Sequence, residues 1–270
     1  MDAKFEKLTR LLSDMDGLLV AFSAGVDSTF LLKAAHRVLG ERVIALTAAS
    51  PTAPPGDLDA AKAFTASLGC RHIVVDSHEL TNPAFARNPV NRCFFCKDEL
   101  YHICRTEAEK LGITWIVDGT NLDDLKDHRP GLKAAEALGV RHPLVDAEMT
   151  KDDIRRYSRE LDLPTWDKPS SPCLSSRFPY GTEINLERLK KIGDCEVFLK
   201  ELRFREFRVR YHGDLARIEV AQNEIDRLFE KPIRETIVKK FKELGFTYVS
   251  LDLQGFRSGS LNETLPQKLL

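Results

Sequence analysis

Three groups of residues have the types and spacing to do chemistry. The first, Ser23-Ala24-Gly25-Val26-Asp27-Ser28, follows an apolar run of strand length and precedes Phe30, Leu31, Ala34, Ala35 and Val38 at helical spacing. A strand feeding a helix through such a loop aims unpaired N–H groups and a positive dipole end at one point, a geometry that holds phosphate. Gly25 permits close approach, and Ser23 and Ser28 add hydroxyl donors. Asp27 beside phosphates makes sense through a bridging Mg2+. No Lys precedes Ser28, so the loop is not a Walker A sequence. The plain alternative is an ordinary β-α turn with a helix cap.

The second group is Arg92-Cys93-Phe94-Phe95-Cys96-Lys97, joined further on by Cys173 in Ser170-Ser171-Pro172-Cys173-Leu174-Ser175-Ser176-Arg177. Flanking cations favour thiolates, and a Cys-x-x-Cys pair chelates a metal or cluster. A four-ligand zinc site lacks its second pair, and a thioredoxin-type pair belongs in its own small fold. Two thiolates plus Cys173 make three, a set that leaves one iron of a [4Fe–4S] cluster open. Cys104 is a possible substitute or supplement, while Cys70 and Cys195 read as buried hydrophobes.

The third group is Phe207-Arg208-Val209-Arg210-Tyr211, a turn at Gly213-Asp214, and Leu215-Ala216-Arg217-Ile218-Glu219-Val220. With a two-residue turn, Arg210 faces Arg217 and Arg208 faces Glu219, all on one face of a hairpin. Three Arg beside one Glu suit an anion or phosphate, although polar hairpin faces are also commonly just solvated.

The elements that must position these groups alternate along the chain. Strands are expected at Leu18–Phe22, Arg42–Ala48, Arg71–Asp76 and Ile113–Asp118, with helices at 3–15, 57–68, up to Lys110 and 151–161. That alternation predicts an α/β domain with a parallel sheet covered on both faces and ligands beyond the C-terminal strand ends. Ser23, Ala48, Asp76 and Asp118-Gly119-Thr120-Asn121 fall on that rim. Gly119 would permit contact with a nucleotide, and Arg129 and Lys133 could hold pyrophosphate. Turn chemistry and a solvated loop are the alternatives there. The expected domains are 1–165, a linking loop 166–185, and a smaller α+β domain 186–270. The latter contains helices at about 186–202 and 223–244 and a strand at 246–253.

The chain has 270 residues, a net charge of −1 and 30% charged residues, so no global basic field advertises nucleic acid. No apolar run approaches a membrane span, and the start lacks a signal-peptide pattern, so a cytoplasmic enzyme is expected.

The first loop is similar to the pyrophosphate loop (PP-loop) of the ATP pyrophosphatases, with Ala24 in place of that family's first Gly. Together with Asp118-Gly119, Arg129–Lys133, Ser175–Gly181, Arg208-Val209-Arg210, Ala216–Glu219 and Gly255–Gly259, it resembles the LarE family across essentially the whole chain. These are ATP-dependent sulfur transferases of nickel-pincer nucleotide cofactor biosynthesis. The resemblance implies that ATP adenylates a carboxylate of pyridinium-3,5-biscarboxylic acid mononucleotide and that sulfur displaces AMP to give a thiocarboxylate. It implies Ser23–Ser28, Ala48, Asp118, Gly119, Arg129 and Lys133 as ATP-binding residues, and Ser176, Arg177, Arg208 and Arg210 as substrate-binding residues. Glu196 and Glu219 match acidic positions of the active or metal site. Asp27, Cys173, Ser176 and Arg177 are the expected catalytic residues. Some members sacrifice a cysteine near Cys173. With Cys93 and Cys96 present, this chain reads as the type that carries a [4Fe–4S] cluster on Cys93, Cys96 and Cys173, resupplied by a sulfide donor. Mg2+ and a symmetric homo-oligomer are expected as well. Competing classes are sacrificial transfer from Cys173, an ATP- and cluster-dependent tRNA thiolase, an amidating synthetase, and a non-catalytic zinc or nucleotide binder.

Overall fold

A computed structural model of the chain describes residues 2–126 and 131–265. In chain order the elements are α1 (Ala3–Ser13), β1 (Leu18–Ala21), α2 (Val26–Leu39), β2 (Val43–Ala49), α3 (Asp57–Leu68), β3 (Arg71–Asp76), α4 (Pro83–Ala86), α5 (Arg92–Leu111) and β4 (Trp115–Asp118). They continue with α6 (Gly131–Ala137), α7 (Pro143–Asp146), α8 (Lys151–Glu160), α9 (Leu186–Glu201), β5 (Phe207–His212), β6 (Leu215–Val220), α10 (Lys231–Glu243) and β7 (Tyr248–Leu251). The chain divides into two compact units: Met1–Ser50, Gly56–Glu79 and Asn91–Ser171 form one, and Pro51–Pro55, Leu80–Val90 and Pro172–Leu270 form the other.

The first unit is a parallel sheet in the order β3-β2-β1-β4, with Ala21 level with both Leu46 and Asp118. The apolar run of β1 is buried along its whole length because both sheet faces are covered. Leu18, Val20 and Phe22 pack with Phe5, Leu8, Phe30, Leu31 and Ile154 on one side. Leu19 and Ala21 pack with Tyr101, Cys104, Ala134 and Ala135 on the other. The edge strand β3 is only half covered, with Arg71, Val74 and Asp76 exposed and His72, Ile73 and Val75 partly buried.

The second unit pairs β5 with β6 antiparallel and β6 with β7 in parallel. Arg208 lies opposite Glu219 and Arg210 opposite Arg217, the register that the Gly213-Asp214 turn predicts. One expectation fails. Residues 223–244 do not form a single long helix: 3-10 turns over Gln222–Phe229 end at an extended Glu230, and α10 starts afresh with Pro in its first turn. Pro232 lacks the N–H that would continue a helix and its ring restricts the preceding residue, so it begins a helix instead. Among the described residues no helix is long and apolar enough to cross a membrane.

Candidate functional site

In the first unit the C-terminal strand ends carry the loop Ser23–Ser28, which turns directly into α2. The hydroxyls of Ser23 and Ser28 lie 3.1 Å apart, and Gly25 caps the helix with an extended backbone. Ala24 has a φ of +54°, the left-handed conformation that glycine adopts without penalty, so the methyl group here sits on a strained backbone. Val26 and Ser28 are buried at the start of α2, and Ala48 is half-buried near the end of β2.

Gly119 has no room for a side chain. A Cβ there would lie 2.8 Å from the backbone nitrogen of Ser28 and 3.1 Å from the carbonyl carbon of Asp27. The close approach read from the sequence is therefore made by the loop itself: β4 ends against the first turn of α2 and fixes its N–H groups. Asp118, just before it, is committed to protein groups. His142 Nδ1 donates to it at 2.6 Å, the Thr120 N–H at 3.0 Å, and the Tyr101 hydroxyl also donates, with Lys97 Nζ 4.0 Å away. Burial pushes the Asp118 carboxyl up, but the His142 hydrogen bond, the Lys97 charge and Tyr101 outweigh it and hold the group well below the usual carboxylate range. The same burial, reinforced by the Asp118 charge, pushes the Tyr101 phenol up.

Asp27 is ion-paired with Lys151 and accepts a hydrogen bond from Asn121 Nδ2 at 3.3 Å. Lys168 Nζ donates to the carbonyl of Ala24 at 3.1 Å and to Asp57 at 3.0 Å, tying the loop to the start of α3. Neither lysine is evident from sequence as a site residue. Thr150 with Asp153 marks a helix start but not what the next side chain faces, and Lys168 lies in a Pro-rich stretch without regular spacing. Lys133 is exposed on α6, and Arg129 lies outside the described residues. The donor set suits Mg2+: Asp27 would offer it a hard oxygen at this loop once its ammonium partner is exchanged.

Cys93 and Cys96 stand about one turn apart near the start of α5, exposed and half-buried respectively. Such a pair at the positive helix end fits two thiolate ligands of a cluster. Among the described residues, no group of three or more His, Cys, Asp or Glu is gathered to hold a metal ion. Cys104 is fully buried, with its thiol pushed up to about 12 by burial, so it belongs to the core and is no ligand in waiting. Cys70 and Cys195 are buried too.

In the second unit the hairpin face is covered, and its charges are paired. Arg177, 1% exposed, forms a two-pronged pair with Glu196 at 2.9 Å and donates to the carbonyls of Pro172 and Cys173 and to the Ser176 hydroxyl. Arg177 thus braces the turn that carries Cys173. Glu196 also accepts from the Val209 N–H at 3.0 Å. Arg210 grips Glu219 in the same forked way and donates to the carbonyl of Ser176 and the hydroxyl of Ser260. Glu219 accepts from Arg217 as well. Arg208 lies over the Phe256 ring, 4.8 Å from its centre, and burial together with Arg177 and Arg210 pushes its pKa down to about 10. Arg217 also stands 3.7 Å from Asp252, so Arg177, Arg208, Arg210 and Arg217 share one cluster with Glu196, Glu219 and Asp252.

A parallel α/β sheet whose first strand ends in a Ser-x-Gly-x-Asp-Ser loop defines a PP-loop, ATP-using enzyme. No protein-family profile matches the chain. An uncharacterized protein of Synechocystis sp. is 43% identical over 98% of this chain and 99% of its own length. The pyridinium-3,5-bisthiocarboxylic acid mononucleotide synthase of Lactiplantibacillus plantarum is 35% identical over 97% of this chain and 95% of its own. One component of the glutamine-hydrolyzing GMP synthase of Methanoculleus marisnigri is 24% identical over 72% and 67%. The chain belongs to the LarE family.

Proposed function

We propose that this protein uses ATP to adenylate a carboxylate of pyridinium-3,5-biscarboxylic acid mononucleotide, and that sulfur then displaces AMP to leave a thiocarboxylate. The observation that carries this reading is the 35% identity to the L. plantarum synthase along nearly the full length of both chains. The chemistry needs both halves, because a carboxylate resists a sulfur nucleophile until its oxygen becomes part of a leaving group. The loop N–H groups and the hydroxyls of Ser23 and Ser28 hold the phosphates of ATP, with Mg2+ on Asp27. Lys168 holds the loop carbonyl of Ala24. Arg208 and Arg210 receive the phosphate of the nucleotide substrate, while Arg177 positions the Cys173 turn and Glu196 and Glu219 orient the arginines.

The sulfur carrier in this reading is a [4Fe–4S] cluster on Cys93, Cys96 and Cys173, which supplies an open iron site for sulfide when bound. The cysteine pair at the start of α5 and the Cys173 carbonyl held by Arg177 support the assignment. The protein works in the cytoplasm as a homo-oligomer, fed by a sulfide donor. Anaerobic reconstitution with iron and sulfide, followed by turnover, tests it. About four irons per chain, lost in Cys93→Ala, Cys96→Ala and Cys173→Ala, is the expected result. Little iron, with loss of the Cys173 sulfur after one turnover, would replace the cluster with a sacrificial route.

A further inference from the structure

Lys151 occupies a position that is costly for a cation. It is the first residue of α8, where the helix dipole is positive and acidic residues are favoured; Asp152 and Asp153 follow it in that turn. Its backbone is nonetheless held firmly in place. The Lys151 N–H donates to Asp123 at 2.9 Å, and Thr150 and Asp153 form a reciprocal capping box around the same turn. The side chain, about a third exposed, is directed onto the carboxylate of Asp27. Among the described residues Asp27 has no other cation within ion-pair reach, and Asn121 Nδ2 at 3.3 Å fixes its second oxygen. Asp27 is the one carboxylate within the phosphate-binding loop.

We propose that Lys151 is the stand-in for the divalent cation at Asp27 and, once Mg2+ arrives with ATP, the group that receives the leaving pyrophosphate. The two roles follow from charge. With nucleotide absent, Lys151 neutralises a half-buried carboxylate. When a divalent ion takes Asp27, the ammonium at the positive end of α8 loses its counter-ion and requires another anion. The polyphosphate on the neighbouring loop supplies one. No bond is made or broken by Lys151; it neutralises charge that builds up on pyrophosphate as the bond to the α-phosphorus breaks. The exchange also keeps the empty loop from binding divalent ions unproductively.

The inference rests on ATP being the substrate of this loop, and its test has an arm that needs no turnover. Mn2+ binding to the nucleotide-free protein, read by electron paramagnetic resonance, is compared in wild type, Lys151→Met, Lys151→Arg and Asp27→Asn/Lys151→Met. Lys151→Met should bind Mn2+ about tenfold more tightly, because its competitor is gone, and the double variant should lose that gain. In steady state, Lys151→Met should lower kcat for pyrophosphate release by about 100-fold with a smaller change in KM for ATP. Lys151→Arg should recover part of it. Unchanged Mn2+ affinity in Lys151→Met, or a gain that persists without Asp27, overturns the proposal. A wild type that releases no pyrophosphate while the Mn2+ series behaves as expected counts against the functional reading alone.

Discussion

Gly119 and Ser28 meet with no atom to spare, so a side chain at 119 would displace the start of α2. Gly119→Ala should cost about 1–3 kcal/mol in urea unfolding and weaken nucleotide binding, since the backbone of α2's first turn must shift. In the second unit, Arg177 and Glu196 form a nearly inaccessible pair, so removing one partner strands the other. Arg177→Met should cost about 3–5 kcal/mol, and the added change Glu196→Gln should restore part of that, as a double-mutant cycle of unfolding energies would show. Asp118 gives a pH dependence of defined sign. Its pKa is depressed in the folded chain, so its stabilisation is complete above the ordinary carboxylate value of 3.8 and is lost as pH falls below it. Asp118→Asn should flatten the acid limb of stability measured down to about pH 3. The residue types at these sites are legible in the sequence, but their partners are not. Asp118-Gly119 stands out as a rim turn, yet nothing local announces His142 or Tyr101 as the groups that claim its carboxylate.

Elements are legible wherever apolar periodicity sets them. The strands of the first unit, the helices α1, α2, α3, α5 and α8 and the hairpin register follow from spacing and turn residues, whereas the short α6 and α7 do not. Over 222–232 helical periodicity misleads, because the missing N–H of Pro232 is a harder constraint than an amphipathic pattern. The capping box of α8 links element to site, because it fixes where Lys151 begins. Thr150→Ala should cost about 1 kcal/mol of stability in thermal or urea unfolding. Pyrophosphate release should fall in the same variant, since the start of α8 then frays.

At the scale of the molecule, the chain order of strands and helices is enough to imply a parallel sheet, but not its order β3-β2-β1-β4. Nor does sequence reveal that the short segments Pro51–Pro55 and Leu80–Val90 belong with the C-terminal residues rather than with the sheet around them. Leu174 N–H donates to the Thr52 carbonyl at 2.7 Å, and Ile184 N–H to the Ala86 carbonyl at 2.8 Å, contacts set by tertiary packing alone. The L. plantarum synthase matches 97% of this chain, and in the proposed reaction ATP activates a substrate carboxylate for exchange of oxygen by sulfur. The most direct measurement supplies pyridinium-3,5-biscarboxylic acid mononucleotide with heavy-oxygen-labelled carboxylates, together with ATP, Mg2+ and sulfide, to the reconstituted protein. Transfer of label into AMP, with pyrophosphate and thiocarboxylate formed in equal amounts, is the predicted result. Unlabelled AMP, or ADP and phosphate in its place, would contradict it.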